Sequence, residues 1–171
     1  MNSEQLRSQQ APIKQKYRDE PAAALVTLRA EGRLADGVAC RVDTGRALIE
    51  AGLHPATGGS GEKACSGDML LQALAACTGV TLNAVATALG IVLRDARVQV
   101  EGDLDFRGTL GVAKDVPVGF QEIRLTLILD TDATEEQLGK LVQLTERYCV
   151  VYQTLRVPPA VKVSRERSER V

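Results

Sequence analysis

Hydrophobic residues fall along this chain in several distinct patterns, and the first is a run without charge. Between Asp68 and Arg94 no Asp, Glu, Lys or Arg occurs, in a chain that is 25% charged. The run, Ser66 to Leu93, is dominated by Ala and Leu and lacks Pro, which favours a helix. Ser66 suits an N-cap, Asp68 suits the positive end of the helix dipole, and Gly90 suits a stop. Apolar residues lie on every side, which predicts a helix buried all round. Such a run also reaches the roughly 20 residues that span a bilayer. Gln72, Thr78, Thr81, Asn83 and Thr87 are spread along it, however, and Ala and Gly gain little from lipid, so a core helix is the reading and no membrane partner is expected.

The second pattern is strict alternation. Ala96, Val98, Val100, Gly102, Leu104 and Phe106 alternate with Arg97, Gln99, Glu101, Asp103, Asp105 and Arg107, as in a long strand with one wet face. Ile123, Leu125, Leu127 and Leu129 repeat the pattern after a connector, and the two strands should pair antiparallel. Shorter strands are predicted at 25–28, 38–42 and 47–49, with a turn over Gly32 to Gly37, giving an antiparallel meander. A spacing of three and four returns at Leu138, Leu141, Val142, Thr145, Tyr148 and Cys149, which predicts a second helix with one buried stripe. It begins near Asp132 or Thr134, where two capping-box patterns stand. Val161 and Val163, past Pro158-Pro159, suit a last strand.

At 171 residues the chain suits one domain. The expected division is a polar arm over 1–21, a domain over 22–164 and a charged tail over 165–171. The arm has no apolar signal-peptide core, so a cytoplasmic location is expected. A formal net charge of −1 gives no electrostatic case for nucleic acid. Four cysteines without paired CxxC spacing fit neither a zinc site nor a secreted disulfide framework, and His54 is the only histidine, so no metal or other cofactor is expected.

The remaining chemistry belongs to sulfur. Cys77 stands inside the uncharged helix and Cys149 on the stripe of the second helix. A thiolate that attacks a peroxide oxygen becomes a sulfenic acid, and a second thiol condenses with it to a disulfide that an outside reductant reopens. Such a pair must bring its Cα atoms within roughly 7 Å. Cys65 lies about 18 Å from Cys77 along one helix, whereas Cys149, on another element, can approach it. Cys65 and His54 are otherwise read as incidental residues at the helix start and in a loop.

Gly58-Gly59, the segment Asp68-Met-Leu-Leu-Gln-Ala-Leu-Ala-Ala-Cys77-Thr, the paired long strands and Glu146-Arg-Tyr-Cys149-Val-Val-Tyr-Gln-Thr-Leu155 together resemble the OsmC/Ohr family, the osmotically inducible protein C and organic hydroperoxide resistance proteins. The resemblance covers about Ala22 to Val163. It implies an α+β, OsmC-like fold, with antiparallel sheets around a long central helix and a second helix, in an intertwined homodimer with sites at the interface. It also implies that Cys77 is the peroxidatic thiol and Cys149 the resolving one, with an organic hydroperoxide as substrate and an external thiol as reductant. In the hydroperoxide-resistance branch a Glu ten residues before the first Cys helps an Arg hold the thiolate. Here that position is Gly67, so Glu62 is the candidate carboxylate and Arg33, in the expected Gly32–Gly37 turn, the candidate cation. Without a nearby cation, Cys77 in an apolar helix should have a raised pKa. An apolar wall from Leu70, Leu74 and Val80 would favour alkyl peroxides. The alternatives are a non-enzymatic protein that binds an apolar ligand in the same interface pocket and a thiol redox sensor.

Overall fold

The structure, a computed structural model, describes residues 49–111 and 113–167 in full. Of residues 31–35, 39–43 and 48 it describes the backbone, and of the N-terminal arm positions 2–5, 8, 11, 15 and 19. The predicted strand at 25–28 lies outside the described residues.

Strands β1 (Glu31–Ala35), β2 (Ala39–Asp43) and β3 (Leu48–Gly52) form an antiparallel meander in which β2 and β3 fall where strands are expected, with Leu34 opposite Cys40 and Cys40 opposite Ala51. Gly32 and Arg33, expected in a turn, lie instead within β1, where Arg33 pairs with Arg41. The short strand β4 (Ala64–Cys65) adds to β3 in parallel and delivers the chain into helix α1 (Ser66–Leu89). The N-cap is Cys65, extended at φ −81°, rather than Ser66, and its side chain makes no capping bond. Gly90 ends the helix in the left-handed region at φ 70°, where a residue without Cβ carries no steric penalty.

After α1, β5 (Asp95–Asp103) and β6 (Glu122–Asp130) pair antiparallel along their full length. Val98, Val100, Gly102, Ile123, Leu125, Leu127 and Leu129 are partly covered, while their polar neighbours face water. The strand pattern breaks at Phe106, which opens a one-turn helix, α2 (Phe106–Thr109), because Asp105 accepts a hydrogen bond from the Arg107 N–H. Helix α3 (Glu135–Tyr148) starts at Thr134 with the capping box complete: Thr134 Oγ1 accepts from the Gln137 N–H and Gln137 Oε1 from the Thr134 N–H. A further helix, α4 (Val150–Arg156), follows after the single residue Cys149. Residues 159–167 form no strand, and Val161 and Val163 are exposed.

The core lies between α1, α3 and the β5–β6 hairpin. Leu82, Val85 and Ala86 from α1 meet Leu141 from α3, with Leu127, Leu129, Leu138 and Leu144 packed around them. The expectation that α1 is buried all round is corrected. Leu74, Thr78, Leu82, Val85 and Ala86 are buried, but Leu70 and Val80 are 38% and 73% exposed. This helix is long and apolar enough to cross a membrane by length and composition. Here one face packs on protein and the other is left open.

Candidate active site

Cys77 sits halfway along α1 and is half-buried. The turn that faces it comes from a break in helical geometry. Cys149 is extended (φ −73°, ψ 109°) and serves as C-cap of α3 and N-cap of α4 at once. Its own N–H still closes α3 on the Thr145 carbonyl at 3.0 Å, and Gln153 Nε2 donates to the Glu146 carbonyl at 2.7 Å. The N–H groups of the next two residues start a new helix, so they have no carbonyl partner within it. Both lie near enough to the sulfur of Cys77 to lower its pKa.

That encounter governs the thiol. Burial pushes the Cys77 pKa up, but hydrogen bonds from the Val151 N–H, the Cys149 thiol, the Val150 N–H and the Thr81 hydroxyl outweigh it, and the net shift is downward. The start of a helix stabilises an anion through its free N–H groups and its dipole. From the sequence a nearby cation is expected to be needed to avoid a raised pKa; among the described residues the lowering comes instead from the α4 backbone donors with the Cys149 and Thr81 side chains. The Cys77 and Cys149 thiols, twelve helical residues away from Cys65 in one case and on another element in the other, are close enough to hydrogen-bond.

Cys149 is almost wholly buried, at 1% exposure, and so is Thr78, whose Oγ1 lies 3.5 Å from Cys149 Sγ. It stands between helices rather than on the α3 stripe, and Tyr148, expected on that stripe, points out to water at 58% exposure. Beside Cys149 is a cavity of about 300 Å³, walled by Leu125, Leu127, Val142, Glu146 and Tyr152 with Thr78. Leu and Val side chains make it mostly apolar. Cys77 does not line it.

The other candidates lie elsewhere. Arg33 is at a central position of β1, with its side chain outside the described residues. Glu62 is exposed in the loop before β4, and its backbone N–H reaches Ser60 Oγ at 3.3 Å. It is not among the groups that act on Cys77. Cys65, Gly67, Asp68 and His54 share a second cavity of about 310 Å³ at the start of α1. There His54 stacks on Phe106 with ring centroids 4.9 Å apart, while its Nδ1 accepts from the Ala56 N–H. Among the described residues no group of three His, Cys, Asp or Glu side chains is placed to hold a metal ion. The residues that the sequence did not single out are Thr78, Thr81 and the Val150 and Val151 amides. The signal for the last two was Pro158-Pro159, a helix stop with no helix yet assigned before it.

A family model described as OsmC-like protein matches residues 59–164. Among solved structures, an OsmC-like protein from Mycoplasma pneumoniae superposes with a TM-score of 0.65 at 20% identity, covering 78% of this chain and 89% of that one. An organic hydroperoxide resistance protein OsmC from Legionella pneumophila gives 0.61 at 20% identity, covering 78% and 92%. An organic hydroperoxide resistance protein from Elizabethkingia anophelis gives 0.62 at 19%, covering 79% and 91%. At these identities the superpositions establish a shared fold. No curated protein matches the chain at a significant level.

Proposed function

This chain belongs to the OsmC-like protein family, and we propose that it is a thiol-dependent peroxidase that reduces organic hydroperoxides. The observation that carries the proposal is the approach of two free thiols at the start of α4, one of them with its pKa lowered by the groups around it. The Cys77 thiolate attacks the terminal peroxide oxygen, the O–O bond breaks, and the alkoxide leaves as an alcohol after taking a proton. Cys77 is then a sulfenic acid. The Cys149 sulfur attacks it, the S–O bond breaks, and the hydroxyl departs as water with the proton that Cys149 gives up. An external thiol reductant reopens the disulfide.

The working unit is a homodimer in the cytoplasm. Leu70 and Val80 are left open on the most apolar element of the fold, and a second copy of the chain is the cover that suits them. Arg33 and Glu62 are the candidate cation and carboxylate of the site, in addition to the α4 amides that act on Cys77. The similar proteins from Legionella and Elizabethkingia, named for organic hydroperoxide resistance, support the substrate class.

Reduced protein mixed with one equivalent of an alkyl hydroperoxide should consume it rapidly and acquire a Cys77–Cys149 bond, mapped by mass spectrometry. Cys149→Ser should trap a sulfenic acid at Cys77, and Cys77→Ser should leave the peroxide intact. Persistence of the peroxide with both thiols free would sink the enzymatic reading. The apolar cavity beside Cys149 then favours the second reading, a non-enzymatic protein that binds an apolar ligand.

A further inference from the structure

We infer that Thr78 is a positioning residue for the resolving thiol: its hydroxyl holds the Cys149 sulfur against α1, the helix that carries Cys77. The mechanism rests on the proposed two-thiol chemistry, but the geometry stands independently of it.

A threonine inside a helix ordinarily returns its hydroxyl to the carbonyl one turn back. Thr87 does so on α1, donating to the Asn83 carbonyl at 2.8 Å, and Thr145 does so on α3, donating to the Leu141 carbonyl at 2.8 Å. Thr78 differs. Its hydroxyl meets the sulfur of Cys149 at 3.5 Å across the helix interface, and both residues are 1% exposed. No buried side-chain nitrogen or oxygen among the described residues lacks a partner, so this contact accounts for a hydroxyl that would otherwise be costly to bury.

Cys149 needs such a hold. It stands outside both flanking helices, and with Thr78 it borders a cavity of about 300 Å³. A cysteine side chain has three staggered rotamers. The Thr78 hydroxyl favours the one whose sulfur it can reach. Helix α1 therefore supplies one hydroxyl to each sulfur, Thr81 to Cys77 and Thr78 to Cys149. In the reduced protein either the thiol or the hydroxyl can donate. Once Cys149 gives up its proton to attack, the Thr78 O–H is the donor and the thiolate accepts.

The test uses Thr78→Val, which keeps the shape and removes the hydroxyl, and Thr78→Ser, which keeps the hydroxyl. Disulfide closure is driven by diamide, so the readout does not require peroxidase activity, and the Cys77–Cys149 bond is followed by mass spectrometry. Losing one hydrogen bond should slow closure about fivefold in Thr78→Val, and Thr78→Ser should close near the wild-type rate. Alkylation of Cys77 by iodoacetamide should slow less than closure in Thr78→Val and stay near wild type in Thr78→Ser, because Thr81 and the α4 amides still act on that sulfur and only the Cys149 donor is loosened. With an alkyl hydroperoxide, Thr78→Val should also accumulate more Cys77 sulfinic acid, since the sulfenic acid waits longer for its partner.

Wild-type closure in Thr78→Val overturns the inference, as does equal slowing in Thr78→Ser. Slowing of Cys77 alkylation as large as that of closure also overturns it, since that would mark a general disturbance of the helix. Failure of wild-type protein to close under diamide would overturn the pairing of the thiols. Closure under diamide without peroxide turnover would leave the role of Thr78 standing and remove only the peroxidase reading.

Discussion

Val150→Pro tests whether backbone donors, rather than a cation, hold the Cys77 thiolate. Proline removes the N–H that Val150 directs at Cys77 and is tolerated at the first position of a helix, where Val150 stands. The residue before a proline must be extended, and Cys149 already is, at ψ 109°. The Val150 side chain is 70% exposed, so its loss disturbs little packing. The same substitution at Val151 would force Val150 out of helical geometry, which makes Val150 the cleaner site. A hydrogen bond to a charged group contributes about 1.5–3 kcal/mol. Water can replace part of it at a half-buried sulfur, which leaves about 1 kcal/mol and about a fivefold smaller thiolate fraction at neutral pH. A more basic thiolate is also more nucleophilic, which returns nearly half of that loss on a logarithmic scale and leaves alkylation about two- to threefold slower.

The assay is iodoacetamide alkylation of Cys77 across a pH series, resolved by peptide mass spectrometry so that the other cysteines do not contribute. In the wild type the rate should fall as pH drops through a midpoint below the ordinary thiol range. In Val150→Pro the midpoint should move up, toward that range. Val150→Ala keeps the N–H and should follow the wild type. An unchanged profile in Val150→Pro, or an equal shift in Val150→Ala, would refute the reasoning.

Leu141→Ala should lower stability by about 2–5 kcal/mol in urea unfolding, because Leu141 is fully buried where α1 meets α3. Gly102→Ala should cost about 1–3 kcal/mol, since a Cβ there would stand 2.6 Å from the Phe120 ring and 3.1 Å from Leu71; adding Phe120→Leu should recover part of the loss in the same measurement. In the proposed homodimer the open face of α1 is the interface, so Val80→Glu should weaken self-association in analytical ultracentrifugation relative to wild type, and unaltered self-association would exclude that face as the interface.

Most of the architecture was legible because it rests on periodicity. The β5–β6 hairpin was written in strict alternation, and α3 in a spacing of three and four with its capping box intact. What was missed lies where local signals conflict. Val150 and Val151 are β-branched and follow a helix directly, so they read as its end rather than as the start of another. Tyr148 keeps the helical spacing of the stripe but is the last residue of α3, where the axis turns away and leaves it in water. Ser66 is the better N-cap by type, yet the helix starts one residue earlier, directly where β4 ends, and makes Cys65 the boundary. The open face of α1 was invisible for another reason: an uncharged sequence reports that a surface is kept from water, without reporting whether the same chain covers it.

At the thiol pair itself, one backbone feature sets several properties together. Had Cys149 been helical, α3 would have continued, and the Val150 and Val151 amides would have bonded to carbonyls one turn back, leaving nothing for Cys77. Because it is extended, those amides are released, the chain is re-aimed so that they meet Cys77, and the Cys149 sulfur is brought beside it. Proximity of the second thiol and stabilisation of the first thus share a single cause. A substitution that heals the break should damage both, whereas Val150→Pro, which keeps the break and removes one donor, should affect only the second.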